Sequence, residues 1–346
     1  MSSVSPAPDG ATAPDRSTAP DGPTAPDPST APNGPTADSH LLALQRHFRL
    51  TSIEPMSLTR FARVHRAVTS TGEHVVAKVT DTRAEAMARW TRALADAGVT
   101  VVSAVAGPLE LDGDQWVLYP FIDGESYTGT TEQIRSAGDL LGRLHAAQVP
   151  TDGLRAYSHP DTERADVDSD LGTLRDVVTA HLPCEEADAA LAGLTALADR
   201  WWEHSWPALR ARDAELPRTG VSSDYKASNV VFTPTGPVLV DPDNGGVEPR
   251  LLDLAMALVL FHCECPGAPA RMMNPEEWEV FARAYGAHMT LTPAEHELWS
   301  AAVDHMWWEE GTWVLEDNDE QAWADPVQGG YLRSLALWDP SGYRLP

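Results

Sequence analysis

The chain contains only two lysines, and one of them, Lys226, lies among residues that could carry out chemistry together. In the segment VSSDYKASNVVF, Asp224 precedes Lys226 by two residues and Asn229 follows it by three. A carboxylate such as Asp224 can accept a proton from a hydroxyl group, and the compact ammonium of a lysine can neutralise a phosphate. This combination indicates phosphoryl transfer, in which catalysis is mostly positioning and neutralisation of charge.

A metal site is predicted directly after this segment. Two short apolar runs, separated by the turn TPTG, connect Asn229 to Asp241, so we predict a β-hairpin over residues 229–240. The hairpin would bring both side chains to the same end. Mg²⁺ is usually held by one or two carboxylates together with substrate phosphates. We therefore expect Asn229 and Asp241 to bind Mg²⁺.

The second lysine, Lys78, lies in HVVAKV on a predicted strand, and Glu85 follows on the next predicted helix. A lysine on a strand that pairs with a glutamate on a helix is a known arrangement for binding nucleotide phosphates. We expect Lys78, positioned by Glu85, to bind the α- and β-phosphates of ATP or GTP. No G-x-G-x-x-G motif precedes Lys78, so the segment EPMSLTRF would have to cover the nucleotide.

The elements that would position these residues divide into two lobes. Before residue 122 the patterns predict a short helix at HLLALQRHFRL, a hairpin in FARVHRAVTSTGEHVVAKVT, a helix that ends at Gly98, and strands at VTVVSAVAG and QWVLYPFI. Residues 41–121 therefore form a small α+β N-lobe with an antiparallel sheet. Residues 122–346 are predicted to form a mainly helical C-lobe, with residues 151–170 as an acidic loop and the 229–240 hairpin as its sheet.

Residues 1–40 differ in composition from the rest of the chain. From residue 11 they form Pro-rich hexapeptides such as STAPDG, and they contain almost no apolar side chains. Such a segment cannot bury enough apolar surface to offset its ordering entropy. We predict a disordered tail without catalytic residues.

The composition excludes several classes of protein. A net charge of −26 argues against a nucleic-acid or anionic-membrane surface, since both need clustered Lys and Arg. No apolar run reaches the length needed to cross a bilayer, and the first residues do not form a secretory signal. Three cysteines do not make a disulfide framework. We expect a cytoplasmic monomer.

Between about residues 45 and 340 the chain resembles the aminoglycoside phosphotransferase family, which shares the two-lobed protein-kinase-like fold with choline and homoserine kinases. The segments that carry this resemblance are VVAKV, DYKASNVVF, VLVDPDNGG and LLDLA. The resemblance implies that Asp224 is the catalytic aspartate, that Asn229 and Asp241 bind Mg²⁺, and that Lys78 binds the nucleotide phosphates. Many antibiotic kinases of the family lack a lysine at the position of Lys226, so its expected role, steadying the γ-phosphoryl group, comes from the residues alone. The resemblance also implies a hinge at YPFI, where Tyr119, Phe121 and Ile122 would meet the adenine.

The sequence departs from the family pattern at two positions of the site. Ser222 stands two residues before Asp224, where the family usually has His, and Pro242 follows Asp241, where an aromatic residue is commoner. We expect the loop that carries Asp224 to be braced in another way. Asp253, at the start of LLDLAMALVLF, is a candidate anchor for it.

The acceptor of the phosphoryl group is not fixed by these motifs. Residues 264–325 contain fourteen acidic residues and two arginines, interleaved with tryptophans. Such a segment could bind a cationic hydroxylated molecule, or it could be a solvated acidic surface over a Trp core. An antibiotic or related natural product is the favoured acceptor, which would make the enzyme a resistance kinase. The alternatives are a metabolic kinase of an amino alcohol or sugar, and a pseudokinase that binds nucleotide without turnover.

Overall fold

A computed structural model of the chain describes residues 37–59, 62–80 and 83–346. Most of the predicted disordered tail, residues 1–36, lies outside the described residues, as do the last two residues of EPMSLTRF. The described N-lobe begins with helix α1 and continues with a five-stranded antiparallel sheet of order β1-β2-β3-β5-β4 and helix α2. Its elements are α1 (Ala37–His47), β1 (Leu50–Ile53), β2 (Val64–Thr69), β3 (His74–Thr80), α2 (Ala84–Asp96), β4 (Ala106–Leu111) and β5 (Asp114–Pro120).

Strand β3 is the central strand of this sheet, and its alternation determines where Lys78 points. Val75 and Ala77 are buried in the core beneath α1, together with Trp116 and Leu118 of β5. Because successive side chains of a strand point to opposite faces, Lys78 leaves the sheet on the other face. The predicted hairpin is confirmed, with Gly72 at φ +87° in its turn.

The prediction of a strand at VTVVSAVAG is wrong, because β4 begins only at Ala106. Val99, Val101 and Val102 are buried instead in the interior of the protein. The Val102 amide donates to the Leu239 carbonyl at 3.0 Å, and the Leu239 amide donates to the Thr100 carbonyl at 3.0 Å. The segment thus connects the N-lobe to a hairpin of the C-lobe rather than extending the sheet.

The C-lobe is built mainly of helices that surround α7, whose residues from Leu251 to Leu260 are all buried. Its helices are α3 (Thr131–Ala146), α4 (Arg164–His181), α5 (Cys184–Arg200), α6 (Trp206–Ala211), α7 (Arg250–Leu260), α8 (Pro275–Gly286), α9 (Pro293–Met306), α10 (Thr312–Asp317), α11 (Glu320–Ala324) and α12 (Gln328–Ala336). Single π-helical turns follow α5, at Trp201–Ser205, and α9, at Trp307–Gly311. No helix of the described residues is long and apolar enough to span a membrane.

Two sheets of the C-lobe flank the segment that carries Asp224. The predicted hairpin is confirmed as β8 (Val230–Thr233) and β9 (Gly236–Leu239). The prediction that it is the only sheet of this lobe is wrong, because β6 (Arg155–Ala156), β7 (Arg218–Val221) and β10 (Gly246–Pro249) form a second sheet in the order β6-β10-β7. Strands of two and four residues are too short to show a periodic pattern.

The acidic segment 151–170 is also more ordered than predicted. Helix α4 begins at Arg164, because Glu163 and Asp166 form a reciprocal capping box that starts the helix within the acidic run. The prediction that most tryptophans are core residues is confirmed. Trp201, Trp278 and Trp307 are fully buried, whereas Trp313 is 49% exposed.

Candidate active site

The loop that carries Asp224 lies between β7 and β8 and is braced by a buried carboxylate. The backbone amides of Ser223 and Ser222 donate to Asp253 at 2.8 and 3.4 Å. His145 of α3 contacts the same carboxylate at 2.8 Å through Nε2, and neither side chain is exposed. These contacts give Asp253 the anchoring position expected from the sequence. They also show how the loop is held with a serine at position 222.

A second carboxyl group supports the loop from β10. Ser223 has φ +54°, in the left-handed region, and its Oγ donates to Glu248 Oε1 at 2.8 Å. Burial raises the pKa of Glu248 to about 8, and the negative charge of Asp253 acts in the same direction. Glu248 therefore stabilises the turn that directs Asp224, and it does so mainly as a neutral group near pH 7.

Asp224 is held by side chains on both sides. Asn229 Nδ2 donates to Asp224 Oδ2 at 2.9 Å, and Asn244 Nδ2 donates to the same oxygen at 3.3 Å. Lys226 Nζ lies 3.3 Å from Asp224 Oδ1. Burial raises the pKa of Asp224; Lys226 opposes this shift, while the charge of Asp241 adds to it. A raised pKa makes the carboxylate a better acceptor for a hydroxyl proton.

The structure brings Lys78 of the N-lobe to the same place. Lys78 Nζ forms an ion pair with Asp241 and lies 2.9 Å from Asp243 Oδ2. Tyr119 OH donates to the other oxygen of Asp243 at 2.6 Å. Asp243 was missed by sequence reasoning, although the second aspartate of DPDNGG was a visible signal.

The predicted pairing of Lys78 with Glu85 is wrong. Glu85 lies in the first turn of α2 with its side chain exposed, and the ion pairs of Lys78 within the described part of the chain are those with Asp241 and Asp243. The buried face of α2 consists instead of apolar residues such as Met87 and Trp90. An exposed glutamate cannot compete with two carboxylates that are already directed at a buried ammonium.

The predicted metal ligands have the donor atoms that Mg²⁺ needs. Burial tends to raise the pKa of Asp241, but the charge of Lys78 and its hydrogen bond outweigh burial and hold this pKa below its usual value. Asn229 uses its Nδ2 on Asp224, which leaves Oδ1 as an oxygen donor. An ionised carboxylate and an amide oxygen fit a magnesium ion that completes its shell with phosphates and water. The cation that now lies against Asp241 is the Lys78 ammonium.

Of the predicted hinge residues, Tyr119 lies in strand β5, where it pairs with β3, and Phe121 and Ile122 follow directly after the strand. Tyr119 is buried and directs its hydroxyl to Asp243, and Ile122 packs in a small apolar cluster with Val117. The Phe121 amide donates to the His74 carbonyl at 3.1 Å, so this donor is used inside the N-lobe. The Phe121 ring also packs against the guanidinium of Arg66, whose Cζ lies 4.0 Å from the ring centroid.

Two acidic residues of the segment 264–325, Glu264 and Glu310, interact with the loop that carries Asp224, and a third, Asp317, interacts with Glu264. Glu264 Oε2 is 2.8 Å from Lys226 Nζ. Burial and the charge of Asp224 raise the pKa of Glu310, in the second π-helical turn, to about 7. Burial and the charge of Glu264 raise the pKa of Asp317. The sequence indicated this segment as a whole, but nothing in its pattern distinguished Glu264 from its acidic neighbours.

Comparisons with known proteins show the family and the fold of this chain. The family model described as "Phosphotransferase enzyme family" matches residues 57–299, which is most of the chain. No curated protein sequence matches the chain. The matched range contains both lysines, the Asp224 loop and Glu264.

Several solved structures share the fold at low sequence identity. An aminoglycoside phosphotransferase from Alicyclobacillus acidocaldarius aligns over 89% of this chain and 93% of its own, with 14% identity and a TM-score of 0.57. A microcompartment-associated aminopropanol kinase aligns over 86% and 95%, with 14% identity and a TM-score of 0.54. Spectinomycin phosphotransferase in complex with ADP and spectinomycin aligns over 86% and 97%, with 14% identity and a TM-score of 0.51. The chain belongs to the phosphotransferase enzyme family and has its two-lobed, protein-kinase-like fold.

Proposed function

We propose that this protein transfers the γ-phosphoryl group of ATP to a hydroxyl group of a small molecule. The observation that carries the proposal is the meeting of the two lysines, from different lobes, with the carboxylates of a single site. Lys78 contacts Asp241 and Asp243, and Lys226 contacts Asp224. These are the charges needed to hold nucleotide phosphates and to activate a hydroxyl beside them.

The reaction assigns one task to each group. The acceptor oxygen bonds to the γ-phosphorus while the bond from that phosphorus to the β–γ bridging oxygen breaks, and ADP leaves. Asp224 orients the hydroxyl and takes its proton. Lys226 neutralises the γ-phosphoryl oxygens, and Lys78 moves from its carboxylate partners to the α- and β-phosphates.

The metal is part of the same proposal. Asn229 and Asp241 would hold Mg²⁺, which supplies positive charge across the phosphates when it is bound. Two ionised groups that now pair with each other, Asp241 and Lys78, would then have separate partners, the metal and the nucleotide. Asp243 would remain linked to the N-lobe through the Tyr119 hydroxyl.

The favoured acceptor is a hydroxylated, cationic natural product such as an antibiotic. The carboxylates of Glu264 and Glu310 lie within electrostatic reach of Lys226, and they would attract an ammonium group to this side of the site. A metabolic amino-alcohol kinase is the second candidate, because the same carboxylates suit a small amino alcohol and an aminopropanol kinase shares the fold.

The test is a turnover assay with the purified full chain, ATP or GTP, and Mg²⁺. Aminoglycosides, spectinomycin, macrolides, amino alcohols and sugars are offered as acceptors, and phosphorylated product is detected by mass spectrometry. We expect product with at least one hydroxylated amine, and loss of product when EDTA removes the metal. Nucleotide binding without any product from the panel would favour the pseudokinase and overturn the proposal.

A further inference from the structure

Lys226 lies between two carboxylates that come from different parts of the C-lobe. Its Nζ is 3.3 Å from Asp224 Oδ1, in its own loop, and 2.8 Å from Glu264 Oε2, in the loop after α7. The shorter contact holds the ammonium on the side of Glu264. If Lys226 is to neutralise a phosphoryl group during transfer, its ammonium has to leave Glu264 or contact both groups at once.

The backbone of Glu264 is fixed in a sparsely populated conformation. Its φ is +55°, in the left-handed region that residues with a Cβ rarely adopt, and such a conformation persists only where the surroundings impose it. The Glu264 amide donates to Gln328 Oε1 at 2.8 Å, and Gln328 Nε2 donates to Asn318 Oδ1 at 3.3 Å. Residues around α12 thus direct the Glu264 carboxylate at Lys226.

The acidic groups around Lys226 outnumber the cations, so a further cation would be attracted to this place. Asp224, Glu264 and Glu310 all interact electrostatically with Lys226. Glu310 is half-buried, and within the described ranges it makes no hydrogen bond or ion pair. The second cation near Glu310 is the guanidinium of Arg155. An ammonium that entered here would meet carboxylates that Lys226 cannot neutralise alone.

We propose that Glu264 is a positioning residue that restrains Lys226 until an acceptor arrives, and that a cationic group of the acceptor replaces the Lys226 ammonium on Glu264. This inference rests on the proposed function. Lys226 is then released to the γ-phosphoryl oxygens at the moment when the acceptor hydroxyl lies beside Asp224. The pair Lys226–Glu264 thereby makes transfer depend on the presence of the acceptor.

The restraint also acts against a side reaction. Without an acceptor, water can attack the γ-phosphorus; the bond to the β–γ bridging oxygen breaks, the proton passes to Asp224, and the products are ADP and inorganic phosphate. This hydrolysis needs Lys226 on the phosphoryl group in the same way as transfer does. Holding the ammonium on Glu264 keeps it slow.

The test uses the fact that the chain has only two lysines. The purified full chain reacts with a small acylating reagent at fixed pH, and mass spectrometry of peptides reports the labelling rate of Lys226 relative to Lys78. In Glu264→Gln the side chain keeps its size and the backbone strain is unchanged, but the negative charge is lost. Because an opposite charge at this distance shifts a pKa by one unit or more, we expect relative labelling of Lys226 to rise about tenfold or more.

The second readout is ATP hydrolysis without acceptor, which we expect to rise several-fold in Glu264→Gln. The matched control is Glu320→Gln, an exposed carboxylate of the same acidic segment, which should change neither readout. An unchanged Lys78 labelling rate shows that the variant is folded. Labelling or hydrolysis equal to that of the wild type overturns the inference. If wild-type protein phosphorylates no acceptor while the labelling result holds, the proposed function fails and the restraint on Lys226 stands.

Discussion

The two lysines have similar surroundings, but they join different parts of the molecule. Lys78 connects strand β3 of the N-lobe to Asp241 and Asp243, which lie more than 160 residues away in the segment after β9. Lys226 contacts Asp224 in its own loop and Glu264 in the next loop of the same lobe. The first arrangement links the lobes, and the second stays within the C-lobe.

In the proposed function, this difference separates a nucleotide side from an acceptor side. Asp243 is fixed to the N-lobe by Tyr119, so Lys78 is placed between the lobes whether or not an acceptor is present. Glu264 belongs to the acidic segment and is positioned by Gln328. The position of Lys226 should therefore depend on whether an acceptor is bound. Substitution of the two lysines should accordingly change different kinetic constants.

The largest effect is expected for Asp224→Asn. The variant keeps the shape of the side chain, but it removes the carboxylate that takes the hydroxyl proton in the proposed reaction. A general base contributes about 10²–10⁴ in rate, so we expect kcat to fall by about 10³. The affinity for ATP, measured by calorimetry, should change little because Asp224 lies on the acceptor side. Full turnover in this variant would show that another group accepts the proton.

Substitution of the two lysines tests the division directly. Lys78→Met removes the ammonium that would hold the α- and β-phosphates, and we expect kcat/KM for ATP to fall by about 10²-fold, with a large rise in KM. In Lys226→Met we expect a loss of kcat with KM for ATP changed only a few-fold. Steady-state kinetics over a range of ATP concentrations separates the two. Equal rises in KM would mean that both lysines serve the nucleotide.

A smaller, pH-dependent effect is expected on the loop that carries Asp224. Burial holds the pKa of Glu248 at about 8, above its value in the unfolded chain, so the folded state retains the proton. The stability from this proton is complete below about pH 4.3 and is lost as the pH rises through 8. Glu248→Gln should remove this loss and flatten the dependence of stability on pH.

Denaturant unfolding of both proteins between pH 5 and pH 8.5 measures that effect. We expect wild type to lose on the order of 1 kcal/mol relative to Glu248→Gln for each pKa unit of the shift, since one unit corresponds to about 1.4 kcal/mol. If the free energy of unfolding depends on pH in the same way in both proteins, Glu248 is ionised in the folded protein throughout this pH range. The variant should leave the loop undisturbed, because glutamine keeps an oxygen that can accept the hydrogen bond from Ser223.

Much of the site could be predicted from the sequence because its residues are close together in the chain. Asp224 lies five residues before Asn229, Asp241 follows Asn229 by twelve residues, and the hairpin between Asn229 and Asp241 has a clear turn. The central hairpin of the N-lobe sheet was predicted from two β-rich runs about a Gly-containing turn. Local patterns of this kind do not depend on how distant segments approach each other.

The partners of the charged groups could not be predicted in this way. Asp243 pairs with Lys78 only because the segment after β9 packs against the N-lobe. The backbone hydrogen bond from the Val102 amide to the Leu239 carbonyl is part of this packing. Glu264 contacts Lys226 with its own backbone in the left-handed region, a conformation that no sequence pattern predicts. Such contacts depend on the tertiary approach of the two lobes and of the C-terminal helices.

Glu85→Gln provides the smallest and most discriminating test of this comparison. The motif of a strand lysine followed by a glutamate on the next helix favoured Glu85 as the partner of Lys78, whereas the Glu85 side chain is exposed and the ammonium is paired with Asp241 and Asp243. Because a single exposed charge contributes little, we expect kcat/KM for ATP to stay within about twofold of wild type. A loss as large as that of Lys78→Met would mean that α2 moves to give Lys78 a new partner when nucleotide binds. Lys78 would then exchange partners, as we propose for Lys226, and the two sides of the site would work by one principle.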